Sequence, residues 1–110
     1  MEPDIANVAL GFAMEFGKNW LQPIHAHLAA KFPTLTAPEL DEYDRCCRDV
    51  MDFGNAQVPP LWRQASGREG EVFTLFESRL LERYAWLSRR NLKRLFSQRR
   101  YYAHHEGELS

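Results

Sequence analysis

The sequence predicts an all-α fold, a small single-domain bundle of about four helices over residues 1–110 whose first helix is long and kinked at Pro23. Apolar residues recur at the helical spacings of three and four in four segments, and no segment shows the sustained polar–apolar alternation of a strand. The chain has 110 residues, of which 45% are hydrophobic and 26% are charged, as in average globular proteins. A chain of this length has room for one hydrophobic core.

The first predicted helix runs from Asp4, its expected N-cap, to about Leu21. On a helical wheel its polar residues form one narrow stripe, and the rest of its surface is apolar. The two apolar faces consist of Ile5, Val8, Phe12 and Phe16 and of Leu10, Met14 and Leu21. One neighbouring helix would not cover both faces, so the helix is either central or part of a subunit contact. The candidate self-association surface is Leu10, Phe12, Met14 and Leu21.

A proline interrupts the chain directly after this helix. Pro23 lacks a backbone N–H and crowds the carbonyl four residues earlier, so it either kinks the helix or starts a new one. That continuation carries Ile24, Leu28 and Phe32 on one face. Pro33 ends it.

The next predicted helix begins at a capping box, Thr36-Ala37-Pro38-Glu39. Its expected buried stripe is Leu40, Tyr43, Cys47, Val50 and Met51. We expect the helix to stop at Gly54-Asn55, because glycine favours a helix end and Pro59-Pro60 prevents the helix from resuming. An irregular connector over residues 57–70 would follow, with Leu61 and Trp62 docked on the core.

Two further helices are predicted in the last third of the chain. The earlier one spans about Glu71 to Leu87. Ser88 is a favourable N-cap and predicts a break before the final helix, although one unbroken helix is an alternative. The final helix points Leu92, Leu95 and Phe96 inward, and it ends near His104, His105 and Gly107.

Charge is unevenly distributed along the chain. The whole chain has a net charge of -1 and therefore no strong field that would steer it toward polyanions. Residues 1–57, however, have a net charge of -5 and residues 58–110 a net charge of +4. The basic helix over residues 88–101 supplies a candidate surface for nucleic acid or an acidic partner, consisting of Arg89, Arg90, Lys93, Arg94, Arg100 and Tyr101. Clustered cations beside an aromatic ring suit phosphate contact and base stacking.

The ten residues from Leu87 to Phe96 resemble the recognition-helix stretch of AraC-type transcription regulators. In that family this helix lies in the major groove of DNA, so the resemblance implies that Arg89, Arg90, Lys93 and Arg94 lie near DNA. The glycine that follows the helix in the family is absent here, where Ser97-Gln98-Arg99 stands instead. The family's second recognition segment is not visible either, so the resemblance is local.

Residues that could catalyse a reaction occur without the spacing that known chemistries need. His25 and His27 are two positions apart and point to opposite sides of a helix, while Cys46 and Cys47 are adjacent. The spacings of zinc sites, the nucleophile elbow and the phosphate-binding loop are all missing. We therefore expect no cofactor. An enzyme that used a thiol, or a metal held by His27, Asp44 and His105, ranks as a distant third reading.

The expected compartment is the cytoplasm, without membrane attachment. No apolar stretch approaches the roughly 20 residues that a spanning helix needs. The acidic start Met1-Glu2-Pro3-Asp4 is unlike the basic start of a secretory signal. Adjacent cysteines cannot join distant segments, which favours reduced thiols.

The sequence thus favours a non-enzymatic cytoplasmic interaction or regulatory module that docks to a protein partner, a second copy of itself included. The broad apolar surface of the first helix and the two opposite charge poles are the reasons. The alternative is a nucleic-acid-binding protein that uses residues 88–101.

Overall fold

A computed structural model of the chain describes residues 1–16 and 24–105, with the side chains of residues 1–15 and 24–101. These residues form helices and no strands, which confirms the all-α prediction. The helices are α1 (Pro3–Phe16), α2 (His25–Lys31), α3 (Ala37–Gln64), α4 (Glu69–Arg83) and α5 (Arg89–His105). They number five because the segment after Pro23 forms a helix of its own. The predicted kink at Pro23 itself lies outside the described residues.

The chain divides into two units, Met1–Asp49 and Val50–Ser110, and α3 begins in the first and ends in the second. The prediction of one domain over residues 1–110 stays a prediction. Within the part of the chain that the structure describes, no helix combines the length and apolar character needed to cross a bilayer.

In the first unit, α1 begins one residue earlier than predicted. Pro3 occupies the first helical position, where its missing N–H leaves no hydrogen bond unmade, so Asp4 lies in the first turn and is not the N-cap. The N–H of Glu2 donates to the hydroxyl of Tyr43 on α3, over 2.9 Å. The side of α1 that packs into the unit consists of Ala6, Ala9, Leu10, Ala13 and Met14, all buried.

The capping box at the start of α3 is confirmed. The Thr36 hydroxyl accepts a hydrogen bond from the Glu39 N–H over 3.3 Å, and the Glu39 carboxylate accepts one from the Thr36 N–H over 2.9 Å. These two hydrogen bonds satisfy backbone donors that the first turn of a helix otherwise leaves open. The hydrogen bond that the Glu39 carboxylate accepts from the Thr36 N–H also holds the pKa of Glu39 below its ordinary value, and the Thr36 side chain adds to the effect.

Two polar contacts join α2 to α3. The Ile24 N–H donates to Asp44 over 3.4 Å, and the His25 ring nitrogen Nε2 lies 2.6 Å from an Asp41 carboxylate oxygen. The side chains of Ile24 and Leu28 are buried beside these contacts. The short helix is therefore held in place by tertiary contacts, since seven residues alone do not form a stable helix.

The predicted end of α3 at Gly54-Asn55 is wrong, because the helix continues for ten residues through both prolines to Gln64. Gly54 is helical, and a Cβ built there would lie 3.0 Å from Leu95 Cδ2, so the glycine serves close packing between helices. Pro59 and Pro60 cannot donate to the carbonyls of residues 55 and 56. Those two residues are exposed, so water can satisfy their carbonyls and the helix survives the prolines.

The helix ends instead at Ser66 and Gly67, whose φ angles are 53° and 74°. The Gly67 N–H donates to the Trp62 carbonyl over 2.9 Å, and the Ser66 N–H donates to the Arg63 carbonyl over 3.1 Å. This pair of hydrogen bonds is a Schellman motif, which satisfies the last carbonyls of a helix. The predicted irregular connector over residues 57–70 therefore shrinks to one tight turn.

In the second unit, α4 and α5 pack against each other as a hairpin. The predicted break before α5 is confirmed, but α4 ends at Arg83, four residues before the predicted Leu87. The Ser88 hydroxyl caps α5 by accepting from the Asn91 N–H over 3.2 Å. The Phe96 ring contacts the rings of Phe73 and Phe76, at 5.4 and 5.2 Å between centroids. The buried core of this unit includes Val50, Met51, Val58, Leu61, Val72, Phe76, Leu80, Leu92, Leu95 and Phe96.

Candidate anion-binding surface

Helix α5 has one face in the core and one in solvent. Leu92, Leu95 and Phe96 are buried as predicted, and Arg99 is buried with them at 3% exposure. At about 100° per residue, Arg90, Arg94 and Tyr101 lie on the opposite side of the helix, within roughly 40° of one another. Arg99 therefore belongs to the core side of α5 and adds no charge to its exposed face.

Two of the six predicted surface residues pair with the neighbouring helix. The Arg89 guanidinium lies 3.5 Å from the Glu77 carboxylate, and the Arg100 guanidinium lies 3.3 Å from the Glu69 carboxylate. Both glutamates are on α4, and the two pairs stand three turns of α5 apart. Arg89 and Arg100 therefore serve mainly to align the hairpin. Each pair, being partly solvated, contributes roughly 0 to 1 kcal/mol.

The remaining cations, Arg90, Lys93 and Arg94, form the group that we term the basic triad. All three are exposed, and none lies within ion-pair distance of a carboxylate among the described residues. They occupy neighbouring positions on the helix surface, where like charges repel each other by a few tenths of a kcal/mol. Across residues 1–15 and 24–101, no carboxylate neutralises these three adjacent positive charges at ion-pair distance, which suits an anionic partner.

Tyr101 stands at the C-terminal end of the same face. It is 57% exposed, an unusual position for a large aromatic side chain in this protein. An exposed ring beside cations can stack on a planar group of a partner.

The candidate self-association surface changes in the structure. Leu10 and Met14 are 0% and 5% exposed, so they belong to the core and cannot form a surface. Phe12 is half-buried, and its ring lies 5.8 Å from that of His27. Leu21 lies outside the described residues. The sequence left open whether the helix is central or part of a subunit contact, because it could not show which side of α1 packs into the fold.

Neither cysteine is a candidate nucleophile. Burial raises the pKa of the Cys47 thiol strongly, and Cys46 and Asp44 add to the effect. Burial also raises the pKa of Cys46, with further contributions from Asp49 and Glu42. Both thiols therefore stay protonated at neutral pH, whereas catalysis requires the thiolate.

The histidines of α2 are separated from each other. His25 contacts Asp41, whereas His27 lies against Phe12. Asp44, which the sequence grouped with His27 as a ligand, instead accepts from Ile24 and pairs with Arg48 over 2.9 Å. Among the described residues, no three His, Cys, Asp or Glu side chains come together as a metal site.

Comparisons with other proteins add no relative. No protein-family model matches the chain, and neither a curated protein nor a solved structure matches it.

Proposed function

We propose that this protein is a non-enzymatic cytoplasmic binding module that docks to an acidic protein surface through the basic triad. The observation that carries the proposal is the group of three exposed cations, Arg90, Lys93 and Arg94, without an ion pair among the described residues. Their neighbours Arg89 and Arg100 are paired with glutamates. The basic triad is therefore available to a partner, whereas Arg89 and Arg100 contact α4 within the fold.

The surface is rigidly presented. The Ser88 cap fixes the start of α5, and the aromatic contacts of Phe96 fix its core face against α4. A partner that docks on a rigid helix face loses less conformational entropy on binding than one that must order a loop. Arginine is also enriched at protein interfaces, where its guanidinium donates two parallel hydrogen bonds to a carboxylate.

The three positive charges of the basic triad suit a protein partner better than a nucleic acid. Three cations match a local cluster of carboxylates, whereas the chain as a whole has a net charge of -1 and provides little long-range attraction for a polyanion. A second copy of the chain offers carboxylates of the right kind, since Glu42 and Asp52 on α3 are exposed. Cys46 and Cys47 are adjacent and cannot join distant segments, which fits the proposed cytoplasmic location.

Nucleic-acid binding is the second candidate, and Tyr101 is the observation that favours it. Its exposed ring shares a face with Arg90 and Arg94, which would let a base stack while phosphates contact the arginines. Three phosphate contacts on duplex DNA would weaken binding roughly 40-fold between 50 and 200 mM salt. That salt dependence is measurable.

Fluorescence anisotropy tests the proposal with two probes, a labelled ten-residue glutamate peptide and a labelled DNA of ten nucleotides, single-stranded or duplex. The binding variant carries Arg90→Gln, Lys93→Gln and Arg94→Gln. We expect it to bind the glutamate peptide at least about tenfold more weakly than the wild type, since each exposed ion pair contributes up to about 1 kcal/mol.

A matched control variant removes the same number of charges elsewhere, through Lys31→Gln, Arg45→Gln and Arg63→Gln, three exposed residues outside α5. If both variants bound the glutamate peptide equally weakly, the lower affinity would follow from the lower net charge alone, and the assignment to the basic triad would be overturned. Preferential DNA binding with the steep salt dependence would replace the protein partner by a nucleic acid. Sedimentation of the wild type and the binding variant decides whether the partner is a second copy.

A further inference from the structure

Helix α3 begins with a segment whose charge is opposite to that of α5. Residues 37–52 contain six carboxylates and two arginines and so have a net charge of -4. An ion pair inside this segment, such as that of Asp44 with Arg48, leaves the net charge unchanged. Helix α5 has six basic side chains and no carboxylate. The chain therefore has two helices of opposite charge, and each has a face in solvent.

Glu42 and Asp52 lie on the solvent face of this acidic segment. Both are exposed, and neither has an ion pair among the described residues. By helical geometry they lie about 15 Å apart along the axis and within about 80° of each other around it. The basic triad covers about 6 Å of α5. The acidic segment is therefore long enough to accommodate the whole basic triad.

The basic triad has no counter-charge at ion-pair distance within the described part of its own chain. A carboxylate that neutralises it must then come from another molecule. The net charge of the whole chain is only -1, so two copies repel each other weakly, and a net charge near zero favours association. A second copy can therefore approach closely and bring its acidic segment to the basic triad.

We propose that the acidic surface to which the basic triad docks is residues 37–52 of α3 in a second copy of this protein. This inference rests on the proposed function, because it names the partner of the same surface. Complementary charges fix the register of such a contact and disfavour partners of like charge. The contact is heterologous, since it joins two different surfaces of the two copies.

Two variants, each lacking one side of the contact, test the proposal. The first is the binding variant, in which the basic triad is replaced by glutamine. The second, which we term the acidic variant, carries Glu42→Gln and Asp52→Asn. We expect the wild type to associate with itself in sedimentation at about 50 mM salt, and each variant alone to associate at least about tenfold more weakly.

A mixture of the two variants is the most specific test, because each variant supplies the surface that the other lacks. The acidic variant retains the basic triad, and the binding variant retains the acidic segment. We expect the mixture to form a dimer with one copy of each variant, at an affinity close to that of the wild type. Failure of the mixture to associate would overturn the proposal.

NMR on the same mixture locates the contact. With ¹⁵N in the acidic variant, the backbone amide shifts should fall in residues 89–101. With ¹⁵N in the binding variant, they should fall in residues 37–52. Shifts confined to other helices would overturn the assignment of the two surfaces.

A matched control variant removes one aspartate and one glutamate outside α3, through Asp4→Asn and Glu82→Gln, both exposed. It alters the net charge by the same amount as the acidic variant. We expect its self-association to equal that of the wild type, and an equal loss in both variants would overturn the assignment to residues 37–52. Because the replaced residues are exposed, all variants should melt at the temperature of the wild type, which verifies that they are folded.

Titration with the glutamate peptide separates this inference from the proposed function. A wild type that stays monomeric while its basic triad binds the peptide would overturn the second copy as partner and leave the proposed function standing. Peptide binding that persists in the binding variant would overturn the proposed function itself. Self-association that survives in both variants would place the contact between copies on another surface and overturn the inference.

Discussion

The substitution Gly54→Ala tests whether α3 really continues through its glycine. The added methyl group would lie 3.0 Å from Leu95 Cδ2 and 3.5 Å from Phe76 Cζ. Carbon atoms in favourable contact stand about 3.5 to 4.0 Å apart, so the first contact is too short. Leu95 is fully buried and cannot simply move its methyl group into solvent.

Two opposing effects determine the magnitude. Alanine in a helix interior is more favourable than glycine by roughly 0.8 to 1 kcal/mol. Overpacking a filled core costs about 1 to 3 kcal/mol, and here the low end applies because the crowded atom is the end of a side chain. We expect Gly54→Ala to lower the free energy of unfolding by about 0 to 1 kcal/mol.

A second substitution separates these effects. Leu95→Val shortens the side chain and removes the crowded methyl group, so Gly54→Ala should become stabilising by roughly 0.5 to 1 kcal/mol in that background. The coupling energy between the two sites is then about 0.5 to 2 kcal/mol, whereas independent sites are additive within roughly 0.3 to 0.5 kcal/mol.

Urea unfolding of the four proteins, followed by far-ultraviolet circular dichroism, measures this coupling. A loss of stability that is the same in both backgrounds would mean that Gly54 is needed for its backbone conformation. In that case the helix would end near Gly54, and the account of a continuous α3 would be refuted.

Three further predictions concern the first unit. Thr36→Ala removes the hydroxyl that caps Glu39 and should lower the free energy of unfolding by about 1 kcal/mol in urea; no loss would contradict the capping box. The hydrogen bonds with Thr36 lower the pKa of Glu39 from its ordinary value of 4.5. The ionised carboxylate therefore contributes its full stabilisation above pH 4.5, and this stabilisation is lost as the pH falls through the lowered pKa. The difference in urea midpoint between wild type and Glu39→Gln should therefore be larger at pH 7 than at pH 3, and a constant difference would contradict the coupling. The Cys47 thiol is buried and has a raised pKa, so in the folded protein it should react with a thiol reagent much more slowly than the Cys46 thiol. In denaturant the two thiols should react equally fast, and Cys46→Ser and Cys47→Ser variants allow each rate to be measured alone. Equal rates in the folded state would contradict the burial of Cys47.

Local signals correctly predicted where α3 and α5 begin. The capping box at Thr36 and the N-cap at Ser88 depend on residues within one turn of each other, and both are present in the structure. Helical periodicity likewise predicted the inward side of α5. These features need no knowledge of the rest of the fold.

Long-range packing decided what the sequence could not show. Gly54 indicates a helix end by composition, but its role depends on how closely Leu95 approaches, which no local pattern contains. The prolines are tolerated because the carbonyls they leave unpaired belong to exposed residues. Ser66 and Gly67 end α3, although both residues fall within the irregular connector that the sequence predicts over residues 57–70.

The same limit applied to the candidate surface. The sequence identified the basic face of α5, but the glutamates that pair with Arg89 and Arg100 lie on another helix, 12 and 31 residues earlier in the chain. Arg99 lies seven residues after Leu92 and therefore on the core side of the helix, where it is buried. Helical register alone would have found this. Reduction of the surface to Arg90, Lys93 and Arg94 required the structure.

The most direct test of the account is a map of where an acidic ligand binds. The ¹⁵N-labelled protein is titrated at about 50 mM salt with the ten-residue glutamate peptide, and backbone amide shifts are followed residue by residue. The account predicts saturable shifts concentrated in residues 89–101, absent in the variant that lacks the basic triad and retained in the variant that replaces Lys31, Arg45 and Arg63. Shifts that persist without the basic triad, or that cluster on another helix, would contradict the claim that Arg90, Lys93 and Arg94 form the binding surface.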